Sequence, residues 1–540
     1  MLNLPLDPTD DRANPAFKNA AECAQWLGQL QLTNLHLAHS VLRAQLNESN
    51  RYPMPGLERL QTLELLRETV SSVQADYAKK LIAKKLPLNE DEYTLFSAII
   101  EMWQSMVTGY QRCLHAYMAG DKSLAPSGAL LCQRCLLYSG QQIFEHQRTG
   151  YDFDGRLWRQ LHALYAFSEE QNCQLNTVND TLSVNKQSSC HAIYTRTLLA
   201  CYARPAELTR TQLQLMDRWL ALWSASVSVT LSYKQNTEDA PALAVDLNRA
   251  QGLQPAQQLT ASDSVRYLAM QPLSKILRIK TILLQQGNSP QQLELGAGCN
   301  STDCIDFLSH LHQSWCESRG ARLAERRSAT QQTAQVCYGL NEIYAHIAHK
   351  PFEQPLRETG VSTVGRHQLE TFGRILNNTG RIDLAEKGFV LEDWQIEDES
   401  ILGARLLREK LIGARIGPNQ LIAVLHTDAN AFMLSTVRWV HVTQEGQLHA
   451  GVRYMPSVPM AISMRSSNAS KISSEKYVAA LLLPAVSALK IPASLIVPRD
   501  WFHPDRVVEI VTLDMEKEEV QMGFSVEKGL DFERVSFTPI

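Results

Sequence analysis

Arg322 and Arg326 stand four positions apart, flanked by Arg319 and Arg327, shortly before a run that begins to alternate at Thr333. A guanidinium is planar and permanently charged, and its donor fork takes a phosphate or a guanine edge in two parallel hydrogen bonds. Its flat face also stacks on a purine, so two arginines ahead of a strand can wrap a nucleotide from one side. Further on, Asp398-Glu399-Ser400-Ile401-Leu402-Gly403 closes another strand-like run with a carboxylate, a hydroxyl and a glycine. Taken singly, each group also has an ordinary reading. Arginines at a helix end solvate a surface and complement the helix dipole, and Asp-x-Ser after a strand caps a turn.

The order of these residues resembles the R-x-x-x-R and D/N-x-S-x-x-G pair of PilZ domains. The run Val437-Arg438-Trp439, then Gly446, then Gly451-Val452-Arg453-Tyr454 is similar to the last two barrel strands of that family. The resemblance covers roughly residues 319–466 and implies a small antiparallel β-barrel that binds cyclic di-GMP. It implies Arg322, Arg326, Arg327, Asp398, Ser400 and Gly403 as ligand-binding residues, with Asp398 and Ser400 on a guanine edge and Gly403 allowing close backbone approach. Arg326 and Asp398 are 72 positions apart, far more than one strand and a turn. Residues 350–387, with Pro351, Pro355, Gly360, Gly365, Gly373 and Gly380 among charged residues, therefore read as an insertion projecting from the barrel.

What surrounds these motifs is a long, ordinary chain. At 540 residues it holds several cores. A net charge of −4 excludes a protein that coats nucleic acid or an anionic membrane by bulk electrostatics. The first residues lack a basic segment followed by an apolar one, so no export signal is expected. The apolar stretch from Tyr477 to Val497 is broken by Pro484, Lys490 and Pro492, and reads as buried structure rather than a membrane span. Eleven cysteines scattered over such a chain point to reduced thiols in a cytoplasm.

Periodicity divides the chain. Residues 1–231 carry helical stripes, such as Phe96, Ile99, Ile100, Trp103, Met106, Val107, Tyr110, Leu114 and Tyr117, started by Asn89 and Glu92 as a capping box and stopped at Gly120. An α-helical bundle or irregular solenoid follows. Residues 232–318 read as a mixed α/β middle section, with a strand over Ala242–Leu247 and helices over Leu273–Gln285 and Ile305–Trp315. From Thr333 the period becomes two. Val336, Tyr338 and Leu340 alternate and, after a slip, Ile343, Ala345 and Ile347 resume, as in a bulged strand. Trp439 and Val452 should face inward, and Arg438 and Arg453 outward. Residues 467–540 read as an extra β module. The fold class is thus multidomain α+β.

Other chemistry is thin. Cys132 and Cys135 have C-x-x-C spacing but no second ligand pair, and on a helix they read as buried, unligated thiols. There is no G-x-S-x-G elbow, Walker loop, H-E-x-x-H or dinucleotide fingerprint, so no catalytic residue, metal or cofactor is expected. The leading expectation is a cytoplasmic bacterial signalling protein that binds cyclic di-GMP through its barrel. Its output would run through the helical region to a protein partner, with no nucleic acid and no membrane span. The alternative is a scaffold or adaptor whose PilZ-like barrel binds no nucleotide and acts by protein contacts.

Overall fold

Helical stripes become helices in the computed structural model, which describes residues 2–3, 5–233, 241–296, 298–317, 327–355, 383–467 and 476–540. The first half holds α1 (Ala20–Gln29), α2 (Leu35–Arg51), α3 (Gly56–Ala78), α4 (Glu90–Met118), α5 (Gly128–Thr149), α6 (Arg156–Glu170), α7 (Cys190–Tyr202) and α8 (Arg210–Trp223). A short hairpin, β1 (Val178–Asn179) and β2 (Gln187–Ser188), separates α6 from α7. The start of α4 shows why: the Asn89 side chain accepts from Glu92 N, and Glu92 accepts from Asn89 N. This reciprocal cap adds about 1 kcal/mol. Phe96, Ile99, Trp103, Met106, Tyr110 and Leu114 then bury one face.

The middle section joins the same unit as these helices. Its strands β3 (Ser228–Thr230), β4 (Leu243–Asp246), β5 (Gln254–Pro255) and β6 (Val265–Ala269) form a sheet in the order β3-β6-β4-β5, followed by α9 (Gln271–Gln285) and α10 (Ser301–Cys316). Buried tryptophans tie it down. Trp219 Nε1 donates to Leu295 O at 3.0 Å and Trp315 Nε1 to Leu199 O at 3.1 Å. No helix among the described residues is long and apolar enough to cross a membrane.

The second unit contains two closed barrels. The first comprises β7 (Arg327–Tyr338), β8 (Glu392–Ser400), β9 (Gly403–Arg408), β10 (Leu421–His426), β11 (Met433–Val442) and β12 (Leu448–Tyr454), with α11 (Leu340–Ala348) after β7. Its order is β10-β11-β12-β9-β8-β7, and β7 pairs back onto β10. The second comprises β13 (Met460–Ser466), β14 (Val478–Leu483), β15 (Ser494–Pro498), β16 (Val507–Thr512), β17 (Lys517–Lys528) and β18 (Phe532–Pro539), ordered β13-β14-β15-β18-β17-β16. Closure removes the free edges that an open sheet would expose. One apolar cluster joins the barrels: Ile343 and Tyr344 of α11, Leu421 and Leu434 of the first, and Leu481, Ile496 and Phe532 of the second.

Four expectations need correction. Leu340–Ala348 is a helix, not a bulged strand; Gly339, at φ +75°, breaks the strand, and Leu340, Ile343, Tyr344 and Ile347 follow the helical repeat. The first barrel ends at Tyr454 rather than 466, because β13 pairs with β14 and β16. Trp439 faces outward: a bulge between Val437 and Trp439 shifts the phase, so Val437, Val440 and Val442 are buried while the indole pairs with Gly451 on the outer face. Cys299 and Cys304 form a disulfide, whereas Cys132, Cys135 and the other seven are free thiols. Of the insertion at 350–387, residues 356–382 lie outside the described residues.

Candidate functional site

The candidate site is an outer face of the first barrel, and strand pairing builds it. Asp398 of β8 is paired with Arg405 of β9, Arg405 with Gly451 of β12, and Gly451 with Trp439 of β11. Paired residues share a face, so a carboxylate, a guanidinium and an indole stand in one row. A second row, Ser400, Gly403 and Arg453, runs beside it. The bulge between Ile396 and Asp398 brings Glu397 to the same face, where Oε2 lies 2.5 Å from Arg405 Nε and 3.0 Å from His449 Nδ1. Ile396 is buried inside, and Glu399 turns inward to accept from Tyr454 OH at 2.8 Å. Burial, with that carboxylate, raises the Tyr454 hydroxyl above its usual pKa.

Two glycines shape the surface. A Cβ on Gly403 would lie 2.0 Å from Val452 O, so any other residue would push β12 away. A Cβ on Gly451 would lie 2.1 Å from Trp439 Nε1, so the indole lies flat on the bare backbone there. Ser400 closes the β8–β9 turn, its Oγ donating to Gly403 O at 3.2 Å and accepting from Leu402 N at 3.3 Å. Arg327 lies in β7, its backbone paired with Glu399. Arg322 and Arg326 lie outside the described residues. The structure thus brings Asp398, Ser400 and Gly403 together and adds Arg405, Glu397, His449 and Trp439, none of which is expected as a ligand residue from the two motifs. The signal for Trp439 was a strand glycine that the register sets opposite an aromatic.

Two other polar clusters are knit together by internal hydrogen bonds. Inside the first barrel, Glu392 Oε2 accepts from Tyr338 OH at 2.6 Å and Arg408 Nη1 at 2.6 Å, and Trp394 Nε1 donates to Tyr338 OH at 2.9 Å. In the helical unit, Arg134 bonds Glu64 through Nε at 2.8 Å and Nη2 at 2.9 Å, while Arg67 Nη2 donates to Asp180 Oδ1 at 2.7 Å. Arg134 Nη1 lies 3.2 Å from Asp180 Oδ2, which completes two cations against two carboxylates. Burial opposes these charges, yet the arginines hold Glu64 and Asp180 below the usual carboxylate range. Cys135 and Cys132 are raised, the first by burial and the second chiefly by its contact with Cys173, and neither is a ready thiolate.

An antiparallel barrel with this outer face, a helical unit ahead of it and a second barrel behind it define a PilZ-like receptor class with a C-terminal barrel. Residues 21–235 match the family model described as cyclic-di-GMP receptor FimW, N-terminal domain, and residues 462–540 match the FimW C-terminal beta-barrel domain. Together they cover more than half of the chain. The cyclic-di-GMP receptor FimW of Pseudomonas aeruginosa is 21% identical over 547 residues, spanning 93% of this chain and 88% of that one. The chain is thus similar to FimW receptors in its helical N-terminal part and in its second barrel. The first barrel, with Asp398–Gly403, falls between the two matched segments.

Proposed function

We propose that the chain is a bacterial signalling receptor that binds cyclic di-GMP on the outer face of its first barrel. The observation that carries this reading is the row Asp398, Arg405 and Trp439: a carboxylate for a guanine N–H edge, a guanidinium for guanine O6/N7 or phosphate, and a flat indole for stacking. The name of the Pseudomonas relative supports the same ligand. Arg322 and Arg326, ahead of β7, close over the ligand from one side, with Arg327 beside them. Asp398 and Ser400 hold a guanine edge, and Gly403 keeps the surface low.

In this reading the protein works in the cytoplasm without catalysing a reaction. Its helical region carries the output to a protein partner. Ligand binding biases that output only by favouring one arrangement over another. The test is a calorimetric titration of the full chain with cyclic di-GMP, with GTP as control. Saturable binding of cyclic di-GMP alone, weakened by added salt because phosphates are engaged, is expected. No binding at tens of micromolar overturns the reading and leaves a scaffold that works by protein contacts.

A further inference from the structure

We infer that Arg453 is a further arginine of the nucleotide site, and that Glu527 of the second barrel competes with the ligand for it. The inference rests on the binding face proposed above. Alternation along β12 sets His449, Gly451 and Arg453 on that face, and Arg453 is paired with Gly403, itself paired with Ser400. Two strand spacings separate Ser400 from Arg453, about 10 Å, within the span of a dinucleotide. The Arg453 side chain is 51% exposed, yet its Nη2 donates to Glu527 Oε1 at 2.8 Å. Thr436, paired with Arg453 on β11, donates Oγ1 to the same oxygen at 3.2 Å.

The second barrel delivers this carboxylate by local irregularity. β17 is bulged between Met522 and Ser525 and again between Ser525 and Glu527, and bulges re-aim side chains. So exposed an ion pair adds little to stability. Its effect on the site is larger, because the carboxylate occupies and neutralises the cation that a ligand phosphate needs. Glu527 also has a second cation in reach, since Arg534 of β18 is its partner across the strand pair and feels its charge. Glu527 therefore has two arrangements: on Arg453, or turned to Arg534 when a phosphate takes Arg453. Ligand affinity and the contact between the barrels are then linked, and linkage is reciprocal.

The test titrates cyclic di-GMP into the full-length wild type, Glu527→Gln, Arg453→Ala and the double variant, with thermal unfolding of each recorded alongside. Glu527→Gln should bind about fivefold tighter and Arg453→Ala about tenfold weaker, with melting temperatures unchanged. The double variant should match Arg453→Ala, because Glu527 acts only through that arginine. Unchanged affinity in either single variant, while the wild type still binds, overturns the competition and leaves the binding face standing. Binding by neither the wild type nor Glu527→Gln overturns both.

Discussion

The helical unit and the first barrel both gather arginines and carboxylates, but they spend them differently. Arg134 is 1% exposed and Asp180 4%, and their cluster closes on itself with Arg67 and Glu64, each cation bonded to carboxylates on neighbouring elements. On the barrel, Arg405 is 39% exposed and meets one carboxylate through Nε, while Nη2 lies 3.3 Å from His449 Nδ1. A balanced cluster around the buried Arg67, Arg134 and Asp180 has little valence left for a ligand, and removing one member leaves a buried charge without its partner. An exposed, half-engaged cluster costs little to rearrange and can accept an anion. Charge alone thus does not single out a candidate site; incomplete engagement on an accessible face does.

The sharpest way to break this contrast is to cut the buried cluster. Arg134→Ala should cost the helical unit about 3–5 kcal/mol, read as an earlier urea transition by circular dichroism, with cyclic di-GMP affinity kept. A loss below about 1 kcal/mol would place the two clusters in one class. On the barrel side the expected signs invert. Arg322→Ala and Arg326→Ala should each lose about 1.5–3 kcal/mol of binding, one to two decades, with the melting temperature unchanged. Asp398→Ala should also weaken binding, while Cys132→Ala, buried in the helical unit, should not.

A smaller effect comes from pH. Burial lowers His162 to about 4, with Nε2–H donating to Gln251 O and Nδ1 accepting from Tyr194 OH. His39 and His146 are lowered to about 4 for the same reason. The unfolded chain therefore binds more protons than the folded one below about pH 6.5, and stability falls as pH drops from there towards 4. His162 alone should account for about 1–2 kcal/mol at pH 5. A helical transition that stays constant from pH 7 to 5 would contradict its buried, neutral state.

Much of this was legible in the sequence where local pattern and tertiary context agree. The α4 stripe, its Asn89 cap and the alternation of Leu448–Tyr454 are local signals, and the structure follows them. The Asp398–Gly403 turn was legible because Ser400 and Gly403 act within a few residues. Trp439 was placed on the wrong face because one bulge inverts every later position and leaves no mark in composition. Leu340–Ala348 reads as a strand because Ile343, Ala345 and Ile347 alternate, whereas Gly339 ends the strand and the helical repeat of Leu340, Ile343, Tyr344 and Ile347 prevails. Arg405, Glu397 and His449 were invisible, since only the register of three strands brings them together. The second barrel's Glu527 was more remote still, as two bulges in β17 set its aim.

The account turns on where the ligand acts, and amide hydrogen exchange of the full chain with and without cyclic di-GMP addresses that directly. Slowed exchange is expected over Asp398–Arg408 and Trp439–Arg453, with α3, α4 and α5 around Arg67 and Arg134 unchanged. Slowed exchange around Arg67 and Arg134, with β8, β9 and β12 unaffected, would contradict it.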